Sequence, residues 1–173
     1  MARIHFVFMT CFTLLLVGCI TMPETPEILI KNVKDGGIYT EKDIFVVNKP
    51  ISQIAAVLKN KSAECLQQKV SLTMQDASPG IKLNRKEVHV YTPKVTVKNY
   101  HVRLTLQEKV TEGATQLGNP PPDGMYMMVV DAYPIDKNST RVESYIQSGG
   151  RSAFKAVKLW ATGKDMSCPN LNQ

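Results

Sequence analysis

From Glu87 to Gln147 the chain repeatedly alternates apolar and polar residues with a period of two. That period sends successive side chains to opposite faces of a sheet, so this stretch has to build several antiparallel strands. Val88 and Val90, then Val95 and Val97, then Val102, Leu104 and Leu106 form such sets, and Lys98-Asn99-Tyr100-His101 turns one strand into the next. Pro93 lacks an N–H for the ladder and predicts an edge, a bend or a break between residues 87 and 98. Residues 111–124 hold Gly113, Gly118 and Pro120-Pro121-Pro122, which makes them the longest loop. Residues 125–133 are apolar on both alternating faces except at Asp131, the pattern of a central strand covered on both sides. Asp136-Lys137-Asn138-Ser139 leads into a half-buried strand in which Val142, Ser144 and Ile146 oppose Arg141, Glu143, Tyr145 and Gln147.

Helical spacing flanks this block. Ile44-Phe45-Val46-Val47 reads as a first strand, and Asn48-Lys49-Pro50 as the start of a helix with proline near its first turn. Ile51, Ile54, Ala55, Leu58, Ser62 and Cys65 then recur on one helical stripe. Val70, Leu72 and Met74 alternate as a strand, closed by turn formers from Asp76 to Gly80. After Gly149-Gly150 a second stripe runs through Ala153, Phe154, Val157, Trp160 and Ala161 and meets a cap at Gly163. The expected fold class is α+β: one curved antiparallel sheet with a long N-terminal helix and a C-terminal helix packed on it. Residues 39–173 form that single domain, and residues 19–38, with Pro23, Pro26 and Gly36-Gly37, read as a tether. Over residues 39–164 the order of elements resembles the helix-grip or START-like fold, a likeness of architecture that rests on no motif.

The first eighteen residues carry one positive charge, Arg3, and an apolar run at residues 6–17. A bilayer-spanning helix needs roughly 20 apolar residues, so the run has the length of a secretory signal. Leu16-Val17-Gly18-Cys19 resembles the lipobox of bacterial lipoproteins. The resemblance implies cleavage before Cys19, a diacylglyceryl group such as palmitate chains on its thiol, and attachment to a membrane facing the periplasm or cell envelope. Ile20, in place of Asp, resembles the pattern sent to the outer membrane if the cell is Gram-negative. An ordinary signal with a chance cysteine and an uncleaved N-terminal anchor are the competing readings.

Composition bounds the rest. The chain has 173 residues and a formal charge of +6, and loss of Arg3 lowers that by one. Such a surface tolerates phospholipid headgroups or peptidoglycan carboxylates, although scattered lysines are commonly a solvated face. Nucleic acid is not expected as a partner. Of the 4 cysteines, Cys11 leaves with the signal and Cys19 is consumed by lipid. Cys65 and Cys168 remain, and in an oxidising compartment a disulfide is their simplest state, with two separate thiols as the alternative. His89 and His101 lie in strands as surface or satisfied histidines. No nucleotide, nucleophile-elbow or H-E-x-x-H signature is present, so no cofactor or metal is expected.

Three functions fit. One is a noncatalytic lipid-anchored protein that binds or scaffolds another envelope component. The second is a carrier of a lipid or other apolar ligand lodged between sheet and C-terminal helix, lined by Met125, Met127, Phe154 and Trp160, which would otherwise be ordinary core. The third is an envelope hydrolase using acids that meet in space, among Asp123, Asp131, Asp136 and Glu143.

Overall fold

The computed structural model describes residues 22–75, 84–113 and 121–171. The signal stretch, Cys19, the turn from Asp76 to Gly80 and residues 114–120 of the loop at 111–124 lie outside the described residues. Three α-helices and six strands follow the order α1 (Pro26–Lys34), β1 (Thr40–Val47), α2 (Ile51–Cys65), β2 (Gln68–Gln75), β3 (Asn84–Lys98), β4 (His101–Glu112), β5 (Met125–Pro134), β6 (Thr140–Gln147) and α3 (Arg151–Thr162). The strands form one antiparallel sheet in the order β1-β6-β5-β4-β3-β2. Among the described residues, no helix is long and apolar enough to cross a membrane.

The inner face of the sheet carries α2 and α3. Ile54, Leu58 and Cys65 from α2 and Ala153, Phe154, Val157 and Trp160 from α3 pack with Val102, Leu104, Leu106, Met128, Val130 and Ile146. Burying one such large apolar side chain contributes about 1.5–3 kcal/mol, so this layer dominates the stability. Gly163 ends α3 in the left-handed region, its N–H reaching back to Trp160. Lys49 Nζ donates to the Ala161 carbonyl at 2.9 Å, satisfying another group of the last turn.

The outer face is where the expected tether is corrected. Residues 26–34 form a helix because Thr25 caps it, its hydroxyl accepting from the Ile28 N–H at 3.2 Å, and Pro26 occupies the first turn. Glu27 near its start and Lys31 and Lys34 near its end complement the helix dipole. Leu29 and Val33, one turn apart, bury themselves on Val129 and Tyr145. This explains why β5 is apolar on both faces.

β3 is also continuous, where a break was one expectation. β2 pairs with β3 only as far as Tyr91, so Pro93 lies where β3 has a neighbour on one side alone. Continuity has a further effect, because Val88 and Val90 then fall on the face opposite to Val95 and Val97. Glu87, His89 and Tyr91 are the residues that turn inward.

Candidate functional site

Three polar or exposed groupings stand out. The first is at the inner face. Glu87, His89 and Tyr91 alternate along β3, and Glu108 lies directly across from Tyr91 on β4. All four are buried. His89 Nδ1 is 2.7 Å from Glu108 Oε1 and its Nε2 is 3.3 Å from Glu87 Oε2. Tyr91 donates its hydroxyl to the same Glu108 Oε1 at 2.8 Å. A neutral imidazole has one N–H, so serving both carboxylates takes a proton on each ring nitrogen or one on a carboxyl. Burial, then the Glu108 charge, pushes the Tyr91 phenol far above its ordinary value, so it stays a donor.

Two β-bulges flank this cluster, one between Val88 and His89 and one between Leu106 and Gln107. Both ends of the 111–124 loop are stitched beside it. Gly113 and Gly124 have φ of +81° and +93°, and a Cβ at either would strike the Lys86 or Glu108 carbonyl. The carboxylates sit on opposite edges of the imidazole, so the three groups do not converge on one ion.

The second grouping is at the outer face. Arg103 on β4 grips Asp131 on β5 with two bonds, Nε to Oδ1 at 2.7 Å and Nη2 to Oδ2 at 2.9 Å. Its Nη1 reaches Glu27 of α1 at 2.8 Å. His101 Nε2 lies 2.8 Å from Asp131 Oδ1, and its ring stacks on Tyr133 with centroids 4.6 Å apart. The hydrogen bond to Asp131 holds the Arg103 guanidinium protonated well beyond its usual range. Asp131 and Glu143 are cross-strand partners, so two of the four acids do meet. Arg103 neutralises Asp131, while Glu143 receives Arg141 at 2.8 Å and the Tyr145 hydroxyl at 2.8 Å. Asp136 lies in the β5–β6 turn, holding the Asn138 N–H, and Asp123 precedes β5. The pair that meets, Asp131 and Glu143, is thus engaged by Arg103, Arg141 and Tyr145.

The third is a surface at one end of the sheet. Lys98 pairs with His101, leaving Asn99 and Tyr100 as a two-residue hairpin turn, both at positive φ (46° and 64°). Such a turn matches the twist of the strands, and glycine or asparagine usually fills it. Tyr100 occupies it regardless and is 78% exposed. The register Val102 with Ala132, Pro134 with Thr140 and Thr140 with Val47 brings the β5–β6 turn and the end of β1 to the same end. Val97, Tyr133, Ile135 and Val46, all exposed, lie at this same end of the sheet as Tyr100.

Of the residues singled out from sequence, Cys65 and Cys168 lie at disulfide distance, with sulfurs 1.98 Å and Cα atoms 4.9 Å apart. Glu64 could complete a metal-ligating trio with them, but sulfurs bonded to each other offer no thiolate. Phe154 and Trp160 belong to the packed inner core, Trp160 Nε1 donating to the Ser167 carbonyl. Met127 is buried against Gly149 outside that cluster, and Met125 stands across from Glu108. A surface groove beside α3 runs between Ser152, Lys155 and Leu159 and the tail at Cys168 and Pro169, away from the sheet. The inner cluster was missed because Val88 and Val90 looked like the buried set. Tracing one parity through Pro93 to Val95 and Val97 would have turned Glu87, His89 and Tyr91 inward.

No family model matches the chain, and no curated protein matches it significantly. It matches 17 solved chains. One, described as a conserved protein from Geobacillus kaustophilus, is 15% identical over 70% of this chain and 86% of that one, with a TM-score of 0.32.

Proposed function

We propose that this is a noncatalytic, lipid-anchored protein of the cell envelope that holds a protein partner at the hairpin end of its sheet. The anchor is the lipid on Cys19 implied by the lipobox, which in a Gram-negative cell fixes the body to the outer membrane on its periplasmic side. The observation that carries the reading is Tyr100. A tyrosine in the left-handed region costs about 1 kcal/mol or more, and such strain is characteristically kept where a side chain is displayed for use. Val97, Tyr133, Ile135 and Val46 are exposed at the same end of the sheet, apolar and aromatic side chains suited to a protein surface. Both oxygens of Asp131 and one of Glu108 are hydrogen-bonded within the fold, which supports a noncatalytic role. Phe154 and Trp160 sit in closely packed core, which supports partner binding over a lipid cargo.

The test is photocrosslinking in intact cells from an unnatural photoreactive residue at position 100, with position 155 on exposed α3 surface as control. Light-dependent adducts with one envelope protein from position 100, lost on Ile135→Ser, are expected. Tyr100→Gly separates binding from folding, since glycine relieves the backbone. It should keep or raise the melting temperature while abolishing the complex. A complex that survives Tyr100→Gly and Ile135→Ser unchanged would overturn the reading.

A further inference from the structure

The opposite end of the sheet also displays a tyrosine at positive φ. Tyr39 has φ of 63° and is 71% exposed, and its neighbour Ile38 is 67% exposed. We propose that the Ile38-Tyr39 turn, with Lys34 and Lys42, seats the protein on an anionic phospholipid surface. The inference rests on the lipid-anchor reading and adds to it an orientation of the body.

Three observations lead there. First, few residues separate Cys19 from the sheet. The Pro23 carbonyl accepts the Tyr126 N–H at 2.8 Å, so the chain is fixed to β5 four residues after Cys19. Four residues reach at most about 14 Å, so a lipid on Cys19 holds this end of the sheet against the headgroups. Second, Tyr39 is at that same end. Thr40 pairs with Gln147 on β6, and Ile146 pairs with Met128 on β5, so Tyr39 lies two strand spacings, about 10 Å, from the start of β5. β5 runs from Met125 to Pro134, so Tyr100 and Ile135 lie at the other end of the sheet, about 30 Å along the strand.

Third, the acids nearest the turn in sequence are paired. Asp35 is taken by Lys31, Glu41 by Arg151 and Asp43 by Lys158. Lys34 and Lys42 have no carboxylate partner among the described residues, and both ammonium groups lie near the Tyr145 ring, 5.8 and 5.5 Å from its centroid. Two cations, one four residues before the exposed Ile38 and one three residues after the exposed Tyr39, match an interface of lipid phosphates over the first methylenes, where tyrosine is favoured. Each lysine near an anionic surface strengthens binding about fivefold.

The experiment uses the acylated full-length product, reconstituted into phosphatidylcholine vesicles with and without phosphatidylglycerol and with brominated acyl chains. Intact mass first reads acylation itself. The native indole, Trp160, is fully buried and supplies the background. The indole introduced by Tyr39→Trp should emit to the blue and be quenched by brominated lipid, more strongly in anionic vesicles. Lys34→Gln with Lys42→Gln should reduce that quenching to the neutral-vesicle level. The indole introduced by Tyr100→Trp should not be quenched. An acylated protein in which Tyr39→Trp is unquenched, or in which Tyr100→Trp is quenched instead, overturns the docking while leaving the anchor intact. A product without acyl mass overturns the anchor reading, and flotation of Tyr39→Trp with anionic vesicles then decides the docking alone.

Discussion

His89 stands on the inner face between two carboxylates, whereas His101 on the outer face shares one carboxylate with an arginine. The difference lies in what each cluster fastens. Arg103 needs no proton adjustment to meet Asp131, and its third nitrogen extends the pair to Glu27, so one network joins α1, β4 and β5. The imidazole of His89 spans only β3 and β4, and must have the right proton count to satisfy Glu87 and Glu108 together. Outer charge therefore docks a helix, while inner charge fills a part of the core that the helices leave to polar groups.

The largest effect should come from His89→Leu, which leaves Glu87 and Glu108 buried without their bridge and costs about 3–4 kcal/mol. Adding Glu108→Leu should recover most of that loss in a double-mutant cycle read by urea denaturation. No recovery would mean that His89 acts by shape alone. Arg103→Met should cost less, about 2–3 kcal/mol, because a quarter of the arginine side chain is open to water and its loss exposes Asp131 to partial hydration. Its signature should be faster amide exchange confined to α1, which a general loss of stability would not produce.

A smaller effect separates the faces by pH. Burial, then the Glu143 hydrogen bond, pushes Tyr145 up to about 12, and Tyr91 is raised as well. In the unfolded chain both tyrosines ionise near 10, so the stabilisation is whole below that pH and falls as pH climbs through 10 toward 12. Phenolate absorbance should show these two rings titrating last, together with unfolding. Tyr145→Phe should flatten the alkaline slope of stability, and an unchanged slope would refute the assignment. The smallest effect is at Ser144, whose buried hydroxyl has no partner among the described residues. Ser144→Ala should be neutral or stabilise by up to about 1 kcal/mol, measured by thermal melting.

The sheet was legible because its alternation is strong, down to the turn at Asn99 and Tyr100. β5 even announced a second cover, since Met127, Val129 and Ala132 cannot all face one layer. The cover itself was unreadable as helix because Pro23, Pro26 and Gly36-Gly37 bracket only nine helical residues, and punctuation outweighed the Leu29-Val33 spacing. The outer cluster was half visible through Asp131, an acid in an apolar strand. The inner one was hidden by a choice of parity: valines outrank Glu, His and Tyr in any hydrophobic reading, and only the unbroken passage through Pro93 reverses it. The positive φ of Tyr39 and Tyr100 left no mark, because tyrosine is not a residue type that signals it.

The bridge between Cys65 and Cys168 also decides how the molecule carries force. It closes β2 through α3 into a covalent ring of sequence separation 103, with α1, β1 and α2 as a leader outside it. Tension between residue 22 and the hairpin tips enters the ring through the β1–β6 ladder and, once that parts, reaches Cys65 and there divides. One arm continues through β2 and β3 toward Tyr100, and the other crosses to Cys168 and returns through α3 and β6. Each arm bears a share of the load, and the ring limits how far the tips can travel once the strands part. The first element to yield under such a pull is α1, held to the sheet by Leu29, Val33 and the Glu27–Arg103 contact, so the body would lengthen at its leader while the ring bearing both histidines stays folded.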